Sequence, residues 1–108
     1  MMVNVLEQVC EELLDCRAVG SSREFCEHWL LKNESYFRVL RFHNMPPSAD
    51  ALSVCASKLG YYAKQLQASA EPNHQHWAER FSRLQELCVH ALERQAQAKW
   101  MVPEHMGS

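Results

Sequence analysis

Apolar residues recur every three or four positions in each long segment of this sequence. This spacing places apolar side chains on one side of an α-helix, whereas a half-buried β-strand alternates at every second residue. Only three Gly and four Pro occur among the 108 residues, which leaves few positions for β-turns. The pattern therefore predicts an all-α protein, and the chain is long enough to bury a core without disulfides or a metal.

The first two helices are predicted from their apolar stripes and from residues that start or end helices. The stripe of the first helix consists of Val5, Leu6, Val9, Cys10, Leu13 and Leu14. This helix is expected to end near Gly20, because glycine readily adopts the left-handed conformation that closes a helix. Ser21 or Ser22 then caps a second helix at about 23–31, and Glu24 completes a capping box with Ser21.

The third helix is predicted to start at residue 33 or 34 and to end near residue 43, before the Pro46-Pro47 pair. Its inward-facing side chains are expected at Tyr36, Val39 and Leu40. Arg38 and Arg41 then lie on another face of the helix.

The last helix is predicted over residues 74–100, after a fourth helix that Ser48 caps. Gly60 interrupts the apolar pattern of that fourth helix, and a kinked continuation over residues 61–66 is left open. It carries the longest apolar stripe of the chain. Five of its residues follow spacings of 4, 3, 4 and 3 and form a heptad-like seam: Trp77, Phe81, Leu84, Cys88 and Ala91. Further apolar residues flank this seam on both sides, so we expect it to form a dimer interface rather than to pack within one small domain.

The formal net charge of −2 hides an uneven distribution of charge along the chain. Residues 1–16 hold four acidic residues and no basic residue, and residues 17–64 hold seven basic and four acidic residues. Residues 65–108 hold four basic and five acidic residues. Because nucleic-acid-binding domains are usually basic, the central segment is the part predicted to contact nucleic acid.

Several classes of protein are not expected from the sequence. No apolar run reaches the roughly 18 residues of a membrane span, and we expect no signal peptide. The five scattered cysteines are typical of a reduced, cytoplasmic chain. Within each of the pairs Cys26–His28 and His74–His76 the two side chains point to different helix faces, so we predict no metal site. The short chain has no glycine-rich loop and no predicted sheet to form a pocket, so we predict neither an enzyme nor a cofactor.

Residues 21–60 resemble the helix-turn-helix domain of Cro/repressor-like (Xre-type) regulators. The matching residues are Ser21 and Ser22 at the capped start, Phe25-Cys26 at an apolar–small pair, Leu30-Leu31 at the turn, residues 32–35 at the start of the recognition helix, and Pro46-Pro47-Ser48 before the next helix. Leu30 and Phe42 occupy positions where glycine is usual, and a left-handed backbone is costly for other residues. The chain also resembles small uncharacterised bacterial helical proteins with this core.

The resemblance implies a bundle of about four helices over 1–66, with a reading head at 21–60. A dimerisation helix at 67–101 and a disordered tail at 102–108 would follow. The implied function is a homodimeric repressor that reads the major groove of double-stranded DNA with its third helix, although activation stays open. Bases would be read by Asn33, Glu34 and Arg38. Phosphates would be contacted by Ser22, Arg23, Lys32, Ser35, Arg41 and His43.

A second hypothesis is a helical protein-protein interaction module of the antitoxin or inhibitor type. Such a module would use the seam of the last helix to bind a partner protein. Duplex binding that weakens steeply with salt separates the two hypotheses, because binding to DNA releases counterions.

Overall fold

The computed structural model describes residues 4–107 and contains five α-helices in that range. They are α1 (Val5–Asp15), α2 (Ser22–Trp29), α3 (Tyr36–Phe42), α4 (Ala49–Gln67) and α5 (Pro72–Trp100). No strand occurs in the described residues, so the predicted all-α class is confirmed. None of these five helices combines the length and the apolar character that crossing a membrane requires.

The main body of the protein is an antiparallel hairpin of α4 and α5. The 29 residues of α5 span about 43 Å and the 19 residues of α4 about 28 Å, so the end of α5 extends past the start of α4. At that end Gln95 Nε2 donates a hydrogen bond of 2.6 Å to the carbonyl oxygen of Pro47. The helix α4 continues past Gly60 over residues 61–66, as the sequence left open, and Gly60 leaves room for the Gln85 side chain.

A single hydrophobic core joins all five helices. Its fully buried side chains include Leu6 and Leu13 of α1, Phe25 of α2, Leu52 and Leu59 of α4, and Leu84 of α5. The helix α5 therefore packs into the same core as α1–α4, whereas the sequence predicted a separate dimerisation helix after residue 66.

The helix α1 ends at a left-handed residue that is not glycine. Arg17 has a φ of 62°, and its N–H donates to the carbonyl oxygen of Leu14 at 3.1 Å. The N–H of Ala18 donates to the carbonyl oxygen of Leu13 at 2.9 Å, which completes a Schellman motif. The prediction that Gly20 closes this helix is wrong, because the chain already turns at Arg17.

The predicted caps of α2 and α4 are confirmed. Ser21 Oγ accepts a hydrogen bond of 3.1 Å from the N–H of Glu24, and the Glu24 carboxylate accepts one from the N–H of Gly20. This is a capping box whose return bond reaches one residue further back than usual. At α4, Ser48 Oγ accepts from the N–H of Ala51 at 3.1 Å.

The segment predicted as a disordered tail begins where α5 ends. In it, the N–H groups of His105 and Met106 both donate to the carbonyl oxygen of Val102 at 2.9 Å, so the chain forms a turn there. Residue 108 of this prediction lies outside the described residues.

Candidate nucleic-acid interface

The connection between α2 and α3 is longer than the resemblance implies. Six residues, 30–35, separate the two helices, whereas a helix-turn-helix usually joins its helices with three or four. The helix α3 begins at Tyr36, two or three residues after its predicted start at residue 33 or 34. Asn33 and Glu34, two of the predicted base readers, therefore lie in the loop before α3.

The side chain of Asn33 organises this loop. Its Oδ1 accepts hydrogen bonds from the N–H of Ser35 at 2.9 Å and from Ser35 Oγ at 2.8 Å. The N–H of Tyr36 donates to the carbonyl oxygen of Asn33 at 3.0 Å, which forms the turn that leads into α3. Reading adenine in a bidentate manner requires both the oxygen and the NH₂ group of an asparagine. The side-chain oxygen of Asn33 is therefore already used to form the turn and is not free to bind adenine.

The left-handed residues of the reading head lie next to the expected glycine positions. Leu30 has a φ of −115° and is fully buried, while Leu31 has a φ of 57° and is 68% exposed. After α3, the left-handed residue is Asn44 with a φ of 52°, two residues beyond Phe42. Leu30 and Phe42 thus need no left-handed backbone, and asparagine tolerates that conformation better than most residues.

The helix α3 is anchored by Phe37 and Leu40, which are both buried. The prediction for Leu40 is confirmed, but the prediction for Val39 is wrong because its side chain is 42% exposed. Tyr36 is half-buried, and its hydroxyl accepts a hydrogen bond of 2.9 Å from the N–H of Ser48. The buried face of α3 therefore contains Phe37 and Leu40. It is shifted by one residue relative to the predicted pair, Tyr36 and Val39.

The opposite side of α3 forms a stripe that we call the α3 stripe. Its members are Ser35, Arg38, Val39 and Phe42, at positions i, i+3, i+4 and i+7. Ser35 is half-buried, and the other three residues are exposed. Phe42 is 83% exposed, and its ring meets the His43 ring edge-on with centroids 5.0 Å apart.

Arg41 is engaged within the chain rather than free for phosphate. Its Nη2 lies 2.6 Å from Oε2 of Glu7 on α1, whose side chain is only 9% exposed. The hydrogen bond and the charge of Glu7 raise the pKa of the Arg41 guanidinium above its ordinary value. The Asn4 side chain donates a further hydrogen bond of 3.1 Å to this carboxylate. Arg41 therefore compensates a buried charge and fastens α3 to α1.

Two other predicted phosphate contacts form ion pairs at the protein surface. Arg23 Nε lies 3.3 Å from Oε2 of Glu34, which was itself predicted to read bases. Lys32 Nζ lies 3.0 Å from Oδ2 of Asp50. Together with Arg41, three of the seven basic residues in the central segment are thus paired with carboxylates.

Three predicted contacts remain unengaged within residues 4–107. Arg38, Ser22 and His43 form neither an ion pair nor a side-chain hydrogen bond with the described residues. Arg38 and Ser22 line a cleft of about 400 Å³ between α1, α2 and α3. Acidic side chains, among them Glu11, also line this cleft, so it is not a purely cationic site.

The predicted dimer seam is part of the protein's own core. Phe81, Leu84, Cys88 and Ala91 are buried within the single chain, and Trp77 is half-buried against the same core. The four buried side chains are therefore unavailable to a second copy or to a partner protein, and the interface assigned to the seam is corrected. A 4-3 spacing specifies a helical neighbour, but it does not specify whether that neighbour belongs to the same chain.

The cysteines pack as small apolar residues. Cys10, Cys26, Cys55 and Cys88 are buried, whereas Cys16 is half-buried, and all five are free thiols. Burial raises the pKa of the Cys10 thiol to about 12 and also raises the pKa of Cys26. Within the described part of the chain, no three His, Cys, Asp or Glu side chains are placed to hold a metal ion.

Comparison with known proteins gives a family match without assigning an activity. The profile of one family, described as Family of unknown function (DUF6626), matches residues 6–101, from α1 to the end of α5. No curated protein and no solved structure matched the chain in the other two comparisons.

Proposed function

Because the chain belongs to the DUF6626 family, whose description gives no activity, we propose a function from its own geometry: it binds double-stranded DNA with the α3 stripe in the major groove. The main support is the exposure of this stripe on a helix that Phe37 and Leu40 anchor from the opposite side. Arg38 stands in the middle of the stripe without an intrachain partner among the described residues.

The proposed contacts differ from the set that the resemblance implied. Arg38 is the proposed base reader, because a guanidinium matches the O6 and N7 acceptors of guanine. Arg23 and Lys32 remain proposed phosphate contacts, since exposed ion pairs are worth only about 0–1 kcal/mol and a phosphate can replace the carboxylate. Arg41 is proposed to act structurally, by holding α3 against Glu7.

One reading head makes few contacts, so we propose that two copies bind a site with half-sites about 34 Å apart. The contact between the copies would lie outside the buried seam of α5. Repression by occupying an operator is the simplest mechanism for such a protein, because it requires no further activity.

The proposal is tested by fluorescence anisotropy with labelled random-sequence duplexes. We expect binding at micromolar protein in low salt, and an affinity that falls linearly with salt on a logarithmic scale, with a slope of about −0.9 for each phosphate neutralised. Arg38→Ala is expected to weaken binding to a sequence enriched from a random pool more than binding to random duplex. Arg83→Ala, a change at an exposed arginine of α5, is the matched control.

Failure to bind duplex DNA at low salt, together with no enrichment from the pool, would exclude this function. The alternative of a protein-binding module would then gain support. It would need a surface other than the seam, since those side chains are internal.

A further inference from the structure

The α3 stripe contains two exposed apolar side chains. They can neither bind phosphates nor form hydrogen bonds, so the DNA contacts proposed above give them no role. Val39 is 42% exposed and Phe42 is 83% exposed, and both lie outside the hydrophobic core. They lie next to Arg38, at positions i+1 and i+4 from it, on the exposed face of α3. A surface that combines a cation with two apolar groups needs a partner that offers both an acceptor and an apolar contact.

The major groove of DNA offers these two chemistries side by side. The C5-methyl group of thymine is its apolar feature and is contacted by apolar side chains, including Phe, while guanine presents two acceptors to Arg. Residues 38 and 42 are separated by about 6 Å along the helix axis, and base pairs are stacked about 3.4 Å apart. The three side chains are therefore close enough together to contact neighbouring base pairs when α3 lies in the groove.

We infer that Val39 and Phe42 read thymine methyl groups next to a guanine that Arg38 reads. The inference rests on the proposed DNA binding and adds the base composition of the site. A groove on another protein fits the stripe less well, because covering Val39 and Phe42 would also bury the Arg38 charge and would require a carboxylate for it.

The test replaces thymine by deoxyuridine, which lacks only the methyl group. A duplex enriched from a random pool is synthesised with each thymine replaced in turn, and its affinity for the wild-type protein is measured. We expect a loss of about four-fold for each contacted thymine, the factor that corresponds to burial of one methyl-sized group. Replacement at thymines outside the site is expected to leave the affinity unchanged.

Three variants identify the side chains responsible. Phe42→Ala and Val39→Ala are expected to bind the thymine duplex more weakly and to lose most of the difference between thymine and deoxyuridine. Val89→Ala, which shortens a similarly exposed side chain on α5, is expected to behave like the wild type. All three positions are exposed, so the thermal midpoint of each variant is expected to stay near that of the wild type.

The possible outcomes separate this inference from the proposed function. An enriched motif that binds equally well with deoxyuridine would overturn the methyl contact and leave the DNA-binding proposal intact. The absence of any enriched motif would overturn the inference, and together with failure to bind random duplex at low salt it would overturn both. Loss of self-association in the Phe42→Ala variant, measured by sedimentation without DNA, would instead assign the stripe to a contact between copies and exclude the inference.

Discussion

At the scale of single residues, Arg41 shows how a distant partner determines the role of a side chain. Its charge and its position near the end of α3 predicted a phosphate contact. In the folded protein its guanidinium meets Glu7, which lies 34 residues earlier in the sequence. No local pattern identifies such a pair, so this reassignment required the fold. Arg38 differs from Arg41 because it lies on the exposed side of α3, opposite the residues that pack in the core.

Burial of the cysteine thiols predicts their reactivity. Under native conditions at pH 8, a disulfide reagent such as dithionitrobenzoate is expected to react first with Cys16, the one half-buried cysteine among the five. Cys10 is expected to react slowly, because burial raises its pKa to about 12 and keeps the thiol protonated. The measurement is the absorbance of released thionitrobenzoate over time.

The Cys16→Ser variant provides the control for this experiment. It should lose the fast phase, while guanidinium chloride should expose all remaining thiols at once. A fast phase that persists in this variant would mean that one of the buried cysteines is more accessible than the fold implies.

At the scale of the elements, the sequence predicted the existence of all five helices and the caps at Ser21 and Ser48. These features depend on local spacing and on side-chain hydrogen bonds to nearby N–H groups, both of which a sequence displays directly. The end of α1 and the register of α3 were predicted incorrectly. Arg17 occupies a left-handed position that normally favours glycine, and the buried face of α3 depends on its neighbours rather than on its seven residues.

The left-handed backbone at Leu31 predicts that glycine is preferred there. Leu31→Gly is expected to increase the free energy of unfolding by about 1 kcal/mol, since a left-handed conformation costs other residues about that much. The side chain is 68% exposed, so its removal sacrifices little packing. Urea unfolding followed by circular dichroism measures the change.

Leu31→Ala separates the backbone effect from the loss of the side chain. This variant keeps the Cβ atom, so it should show no such gain. Equal stability of the glycine and alanine variants would contradict the interpretation that the backbone is strained at this position.

At the scale of the whole molecule, the heptad-like seam was predicted correctly as an apolar face but assigned to the wrong neighbour. Leu84 is 1% exposed because α4 and α5 lie side by side and share the core with α1. The length of α5 suggested more apolar surface than one domain can cover, yet the other four helices supply enough.

Burial of Leu84 predicts loss of stability rather than loss of dimerisation. Leu84→Ala is expected to lower the free energy of unfolding by about 2–5 kcal/mol, and Leu84→Glu is expected to unfold the protein because it introduces a charge into the core. Thermal unfolding measured by circular dichroism checks both variants. Val89→Glu, at a 48% exposed position of the same helix, should retain the wild-type midpoint within a few degrees.

The shortness of α3 has a consequence for how the protein would engage a ligand. Helices of fewer than roughly 12 residues are marginal on their own, so these seven residues are helical mainly because Phe37 and Leu40 are held by the core. Local opening of α3 would release only two buried side chains and leave the α4–α5 hairpin intact, so its amide protons should exchange with solvent sooner than those of the hairpin. Ligand binding would then hold α3 in its helical form. The conformational entropy that α3 loses would reduce the affinity for every ligand alike.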